Sequence, residues 1–409
     1  MRFSVVNIGC KVNRVEIDRI AAELREQGAR MVKDEPADVV IVNTCTVTAE
    51  AEKKARKAVR QALRRNPDAP VLVCGCAVAI DPAEFTSLDA RVHIVGKAHA
   101  ARAAWHLAGS EPAEASAPDA DLRVGEGFRT RVGIKIQDGC NNSCTYCIVH
   151  VARGVPVSEP AARVASLVRR YAEAGVRELV LTGINLGTYD SGGLDLAGLI
   201  MHLLPLIPEG RLRLSSIEPR DVSEALIDVL AASDGRVCRH LHLPLQSGSS
   251  KVLREMGRPY DAEGFLALVA RLRAEVPQLS LSTDVIVGFP GETEGDFQQT
   301  LSVVRAAAFS KVHVFRYSRR AGTPAAQRAD QVDAATVAAR ANRLSALGRE
   351  LAFEDAARRA GTVEQVLVEQ AGRGITESYH PVSFSGTATP GILAPFRLTE
   401  PTADGIFHL

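Results

Sequence analysis

An excess of charge of either sign is missing from this chain. Lysine and arginine number 49 and aspartate and glutamate 48, a net charge of +1 over 409 residues. That balance excludes a global electrostatic grip on nucleic acid, so any such contact has to be local. Also missing is an apolar run long enough to span a membrane. The start, Met1-Arg2-Phe3-Ser4-Val5, enters an apolar strand directly and lacks the layout of a signal peptide. A cytoplasmic protein with no membrane partner is the expectation.

Cysteine, by contrast, is present eight times. In a cytosolic chain these are metal ligands or reactive groups rather than disulfides. The length suits two to four domains, and a hydrophobic content of 46% suffices for sizeable cores.

The pattern along the chain predicts an α/β protein. Residues 3–8, 39–42, 71–73 and 92–95 read as buried strands. Between the first two runs a helix carries Ile17, Ile20, Ala21 and Leu24 on one face. Thr48 is placed to cap the next helix. A doubly wound α/β domain over 1–106 follows. Residues 107–128 are small, polar and aperiodic in large part, a linker. From Arg131 a second series offers strands at 131–137, 178–183, 211–216, 238–244, 281–287 and 311–316. Helices at 160–174, 221–232, 261–274 and 294–306 lie between them. Six such units predict a partial (β/α)6 barrel, with ligands at the carboxyl ends of its strands. A long helix over 331–358 closes this 129–358 domain. Residues 359–409 alternate between glycines and read as a small OB-like β-barrel.

Three cysteines stand close together in Asp138-Gly139-Cys140-Asn141-Asn142-Ser143-Cys144-Thr145-Tyr146-Cys147. Three thiolates hold a [4Fe–4S] cluster and leave one iron open. That iron can chelate the amino and carboxylate groups of S-adenosylmethionine (SAM), and an electron then yields a 5′-deoxyadenosyl radical. A zinc knuckle with His150 as fourth ligand is the bland alternative. The loop's place after the first barrel strand favours the cluster.

Cys10, Cys45 and Cys76 are far apart in sequence, yet each closes a predicted parallel strand. Strand ends of one sheet converge at one edge, so the three thiols can meet in a second cluster site. The alternative is three unrelated buried thiols. Cys74 rivals Cys76, because strand alternation points both to the same side. Gly75 lets the backbone approach a cofactor at Cys76. Cys238 reads as core.

Strand ends with glycine and polar residues suit SAM: Thr182-Gly183, Ser216-Ile217-Glu218, Gln246 and Gly288. The cofactor-binding expectation comprises Thr182, Gly183, Ser216, Glu218, Gln246, Gly288 and Arg153. Lys53, Lys54, Arg56, Lys57, Arg60, Arg64 and Arg65 share one helical stretch without an acid. A solvated face is the plain reading, and a phosphate-binding surface the sharper one. Arg316, Arg319 and Arg320 add charge, with Tyr317 as a stacking partner. The tail from Gly361 has two arginines, no lysine and five acids, so RNA contact there falls to residues such as Arg373, Tyr379 and His380.

Together these motifs resemble the radical SAM methylthiotransferases over essentially the whole chain. Gly9-Cys10-Lys11-Val12-Asn13, Asn43-Thr44-Cys45-Thr46-Val47-Thr48 and Gly75-Cys76 match that family's auxiliary cluster motifs, and Lys135 to Cys147 matches its SAM cluster motif. The resemblance selects Cys76 over Cys74 and implies two [4Fe–4S] clusters, SAM and a C-terminal TRAM domain. Lys11-Val12-Asn13 and Thr46-Val47-Thr48 resemble the branch that acts on N6-threonylcarbamoyladenosine beside the anticodon. His240 to Gly248 and Arg316 to Thr323 fit that branch too. It implies 2-methylthio transfer to C2 of the adenine, tRNA (the anticodon stem-loop) as partner, an electron donor such as flavodoxin or ferredoxin, and a sulfur source. The resemblance further implies that one SAM methylates a sulfur carried on the auxiliary cluster and that a second supplies the radical. No protein nucleophile is required. The isopentenyladenosine branch and a protein or peptide substrate are the alternatives. After Cys147 the chain departs from the family's usual Ile-Ile-Pro-Tyr/Phe-Ala-Arg-Gly, reading Ile148-Val149-His150-Val151-Ala152-Arg153-Gly154.

Overall fold

Unbroken apolar runs build the central strands of the first sheet, and both of its faces are covered. The computed structural model describes residues 1–112, 130–386 and 388–409. The linker expectation at 107–128 falls, from residue 113 onward, outside them. The chain divides into two compact units.

The first unit comprises the described part of Met1–Leu122 together with Gly139–Pro156 and Ser318–Thr323. Its five strands are parallel, in the spatial order Arg30–Met31, Arg2–Asn7, Val39–Thr44, Val71–Gly75, Val92–Ile94. Val39 and Ile41 pack on one side with Ile17, Ile20 and Leu24 of helix Lys11–Glu26 and with Trp105. Val40 and Val42 pack on the other with Ala55, Val59 and Leu63 of helix Ala49–Arg65. A shift of one residue would exchange the two faces. The Thr48 hydroxyl accepts from the Ala51 amide at 3.1 Å and caps that second helix, worth about 1 kcal/mol.

The second unit carries the other series of strands. Arg131–Lys135, Glu178–Thr182 and Arg211–Leu214 pair in parallel, as do His240–His242, Ser280–Val287 and Lys311–Arg316. Single parallel bridges, Leu212 to Val237 and Ser216 to His242, join the two halves into one curved wall of six strands. Leu179, Leu181, Leu212 and Leu214 face the helices, in a core with Val164, Ile200, Leu226 and Phe265.

The opposite face is polar. Glu178 is wholly buried and takes Arg213 Nε at 2.6 Å and Arg211 Nε at 2.7 Å. The remaining nitrogens of the two arginines donate to the carbonyls of Gln365, Ile375, Thr376 and Glu377. Buried charge on one element thereby satisfies the backbone of another. The tail itself is a five-stranded sheet in the order 393–397, 363–370, 373–376, 381–383, 407–408, closed over Val366, Val382 and Phe407.

This corrects one expectation about the tail. His380 is buried, and Tyr379 stacks on His240 with Arg213 over its ring at 4.8 Å. His380 is thereby withdrawn from the surface, and the half-buried Tyr379 ring is engaged within the fold. A net-acidic tail does not signal from sequence that its aromatic residues serve the barrel. Among the described residues, no helix is long and apolar enough to cross a membrane.

Candidate functional site

Cys10, Cys45 and Cys76 each follow the carboxyl end of a strand in the first sheet. Cys10 immediately precedes helix Lys11–Glu26, Cys45 follows Thr44, and Cys76 opens helix Cys76–Ile80. The fold brings the three together. Burial raises the Cys45 thiol pKa and the nearby Cys10 and Cys76 raise it further, while the Val47 amide and Arg153 act against them. Burial likewise raises Cys76, against Arg153 and Lys97. Three soft donors at neighbouring strand ends fit an iron–sulfur cluster, which takes thiolates and releases their protons.

Gly75 separates Cys76 from Cys74. Its φ of 105° is open to glycine, and a Cβ there would stand 2.3 Å from the Thr44 carbonyl oxygen. Strand alternation therefore stops at Gly75, which corrects the expectation that residues 74 and 76 point the same way. Cys74 packs in the core with Ile17, Leu72 and Trp105, where burial pushes its thiol up to about 12. Cys238 is also core, its thiol raised by burial to about 11.

The loop Cys140 to Cys147 belongs to the same compact unit. Its turn depends on Gly139, φ 74°, where a Cβ would lie 2.0 Å from the Val155 carbonyl oxygen. The Cys140 amide donates to the Gly154 carbonyl at 3.1 Å. Backbone amides of Asn142 and Val149 donate to the sulfurs of Cys140 and Cys147, each at 3.4 Å. Sulfurs already met by N–H donors suit a cluster held as thiolates.

Arg153, grouped from sequence with the SAM contacts, lies in the structure beside the Cys10 trio. Its Nε lies 3.2 Å from Cys76 Sγ, and its other nitrogens bind Asn13 Oδ1 at 2.7 Å and Glu16 Oε1 at 3.0 Å. Lys97 Nζ reaches the same Glu16 at 2.5 Å. A planar fork so placed is directed at the Cys10 trio. Glu16 and Lys97 escaped the sequence reading, and Asn13 entered it only as part of the Cys10 motif. The available signal was that Asn13 and Glu16 are polar yet lie on the buried stripe of Ile17, Ile20 and Leu24.

In the second unit the other expected contacts gather at the carboxyl ends of the barrel strands. Thr182 ends its strand, and Gly183 packs against Gln137, whose Oε1 accepts from the Ile184 and Asn185 amides at 3.0 and 2.9 Å. Ser216 bridges to His242. Glu218 pairs with Arg258, and burial still raises its pKa against that arginine. Gln246 holds a left-handed φ of 67°, with its amide on the Asp284 carbonyl at 2.9 Å. The Gly288 amide donates to Glu292 Oε2 at 2.7 Å. Hydroxyl, carboxyl and backbone groups at these strand ends are of the kinds that suit an adenosine bearing an amino acid. His242, Asp284 and His313 share the inner face just below, with His242 Nε2 3.3 Å from Asp284 Oδ1.

The basic helix keeps Lys53, Lys54, Lys57, Arg60, Arg64 and Arg65 exposed, while Arg56 pairs with Glu84 at 2.9 Å. Arg320 leaves the expected phosphate-binding set. It is buried on Glu52 and Thr46. Arg316 and Arg319 remain exposed, and Tyr317 packs edge-on to Phe289.

Residues 134–304 match the family described as the radical SAM superfamily, and residues 2–96 match the uncharacterized protein family UPF0004. The chain resembles the radical S-adenosylmethionine methyltransferase TsrM of Kitasatospora setae with a TM-score of 0.57 and 16% identity, over 80% of this chain and 77% of that one. At such identity the likeness is one of fold, and it agrees with the cysteine loop in defining the radical SAM class. Sequence relatives are more specific. Threonylcarbamoyladenosine tRNA methylthiotransferase MtaB of Bacillus subtilis is 38% identical over 93% of this chain and 89% of its own length. MtaB of Thermotoga maritima is 35% identical over 92% and 88%. The tRNA-2-methylthio-N(6)-dimethylallyladenosine synthase of Dictyoglomus thermophilum is 34% identical over 100% and 97%. The chain belongs to the radical SAM methylthiotransferase family.

Proposed function

We propose that this enzyme places a methylthio group on C2 of N6-threonylcarbamoyladenosine beside the anticodon of tRNA. The observation that carries this reading is the meeting of Cys10, Cys45 and Cys76 in the compact unit that also holds Cys140, Cys144 and Cys147. One trio suffices for radical generation, and a second is what transfer of a sulfur-bearing group adds. Cys140, Cys144 and Cys147 would hold one [4Fe–4S] cluster, and Cys10, Cys45 and Cys76 the other. When bound, the first supplies the electron that cleaves SAM to a 5′-deoxyadenosyl radical.

The protein's own part is to bind and orient. Thr182, Gly183, Ser216, Glu218, Gln246 and Gly288 offer SAM hydroxyl, carboxyl and backbone groups at the strand ends. The exposed lysines and arginines of helix Ala49–Arg65 offer phosphates a sequence-independent grip. C2–H of adenine is not acidic, so general bases have no purchase on it, and radical chemistry needs no protein nucleophile. Flavodoxin or ferredoxin as electron donor, a separate sulfur source and a cytoplasmic location complete the reading.

Mass spectrometry of tRNA nucleosides from a deletion strain tests it. Loss of 2-methylthio-N6-threonylcarbamoyladenosine, restored by the intact gene, is expected. Unchanged tRNA nucleosides would overturn it. Loss of the isopentenyl methylthio nucleoside instead would reassign the substrate.

A further inference from the structure

We propose that Arg153 is a positioning residue that sets the reduction potential of the cluster held by Cys10, Cys45 and Cys76. This rests on the reading that the trio holds a cluster. The motif that supplies Cys147 continues through helix Val149–Arg153 and delivers a guanidinium to the other trio. Arg153 Nε stands 3.2 Å from Cys76 Sγ, and its side chain is only 3% exposed. In such low-dielectric surroundings an N–H donor to a thiolate is stronger than in water.

The orientation is over-determined. Glu16 takes Arg153 Nη1 at 3.0 Å and Nη2 at 3.2 Å, and Lys97 Nζ at 2.5 Å. Asn13 Oδ1 takes Arg153 Nη2 at 2.7 Å, while Asn13 Nδ2 is anchored on the Thr44 carbonyl at 2.8 Å. Asn43 Nδ2 in turn donates to the Asn13 carbonyl at 2.7 Å. Two cations and one carboxylate leave a net positive charge beside three thiolates. Hydrogen bonds to the sulfurs and local charge are two of the factors that set the potential of a cluster. An N–H donor draws electron density from sulfur and favours the reduced state. Glu16 acts in the opposite sense, because its carboxylate offsets the guanidinium. The two residues are therefore an opposed pair of controls on one cluster, and neither needs to touch tRNA or SAM.

The experiment is an EPR-monitored redox titration of full-length protein, reconstituted anaerobically to about eight irons per chain. A Cys140→Ala variant assigns the signal of the Cys10 trio. Arg153→Gln is expected to disfavour reduction of that cluster about tenfold, which is about 59 mV for a one-electron couple. The signal of the Cys140 trio stays in place. Glu16→Gln is expected to shift the same cluster in the opposite direction, which a merely structural loosening would not do. With both clusters present, unmoved midpoints in the two variants overturn the inference, and so does a shift of both in one direction. Where Arg153→Gln holds only about four irons, Glu16→Gln decides alone: an upward shift supports the inference and no shift overturns it. A wild-type protein that holds only about four irons overturns the two-cluster reading on which it rests.

Discussion

The ring of Tyr379 lies on the imidazole of His240, with centroids 4.8 Å apart and planes 29° apart. Tyr379 belongs to the C-terminal tail and His240 to a barrel strand. The contact holds a non-glycine residue at a left-handed φ of 73°, so the tail is fixed at a defined point. Tyr379→Ala removes the stack and the Arg213 interaction, and is expected to cost about 2 kcal/mol. Tyr379→Phe keeps the ring and is expected to stay within about 1 kcal/mol of wild type. Denaturant unfolding followed by circular dichroism checks both.

Glu178 carries a stronger prediction. Burial alone would raise its pKa, but Arg213 and Arg211 outweigh burial and hold it well below the usual carboxylate range. A lowered folded pKa adds stability above the unfolded value, about 4.3, and that stability is lost as pH falls through the acid range. Glu178→Gln leaves two buried guanidinium groups without their carboxylate and is expected to cost about 3–5 kcal/mol at neutral pH. Between about pH 5 and 3 the variant is expected to lose less further stability than wild type. Thermal midpoints across that range show whether the two curves converge.

Iron content separates the neighbouring cysteines. Cys76→Ser is expected to lower anaerobically reconstituted protein from about eight irons to about four, whereas Cys74→Ser leaves the content unchanged. Equal losses in both variants would return Cys74 to the ligand set.

Gly139→Ala tests the second loop through its backbone. A Cβ facing the Val155 carbonyl at 2.0 Å cannot be accommodated without moving the turn before Cys140. The expected result is loss of about four irons and of SAM cleavage under reduction. Full iron loading would show that the turn tolerates the side chain.

The basic helix makes a salt-dependent prediction. Replacing Lys53, Lys57, Arg60 and Arg64 with glutamine is expected to weaken tRNA binding across sequences. The slope of log affinity against log salt is expected to flatten by about 0.7–0.9 for each phosphate that is no longer neutralised. Filter binding at several salt concentrations measures it, and an unchanged slope would mark the helix as a solvated face.

Much of the fold was legible because hydrophobic period reports burial directly. The unbroken apolar run at Val39 to Val42 needed both faces covered, and both are. The long helix expected over 331–358 spans Ala334–Arg359, with its start set by the side chain of Asp333. Short elements were less visible. Helices Cys76–Ile80 and Pro82–Thr86 are too brief to show a period, and Leu196–Leu203 is nearly apolar throughout.

By itself the sequence determined the parallel strands, the cysteine at the end of each of three of them, and the spacing of the Cys140 loop. These depend on local chain order, and the edge of a parallel sheet gathers its strand ends whatever else surrounds it. Only the tertiary structure decided where long side chains deliver their charge. Arg153 turns to Cys76, 77 residues away, and to Glu16, while Arg320 turns to Glu52, 268 residues away. Tyr379 turns to His240 in the same fashion. A guanidinium on a flexible stem has no periodicity to read. Its partner is set by which buried acid, thiol or carbonyl the completed fold leaves within reach.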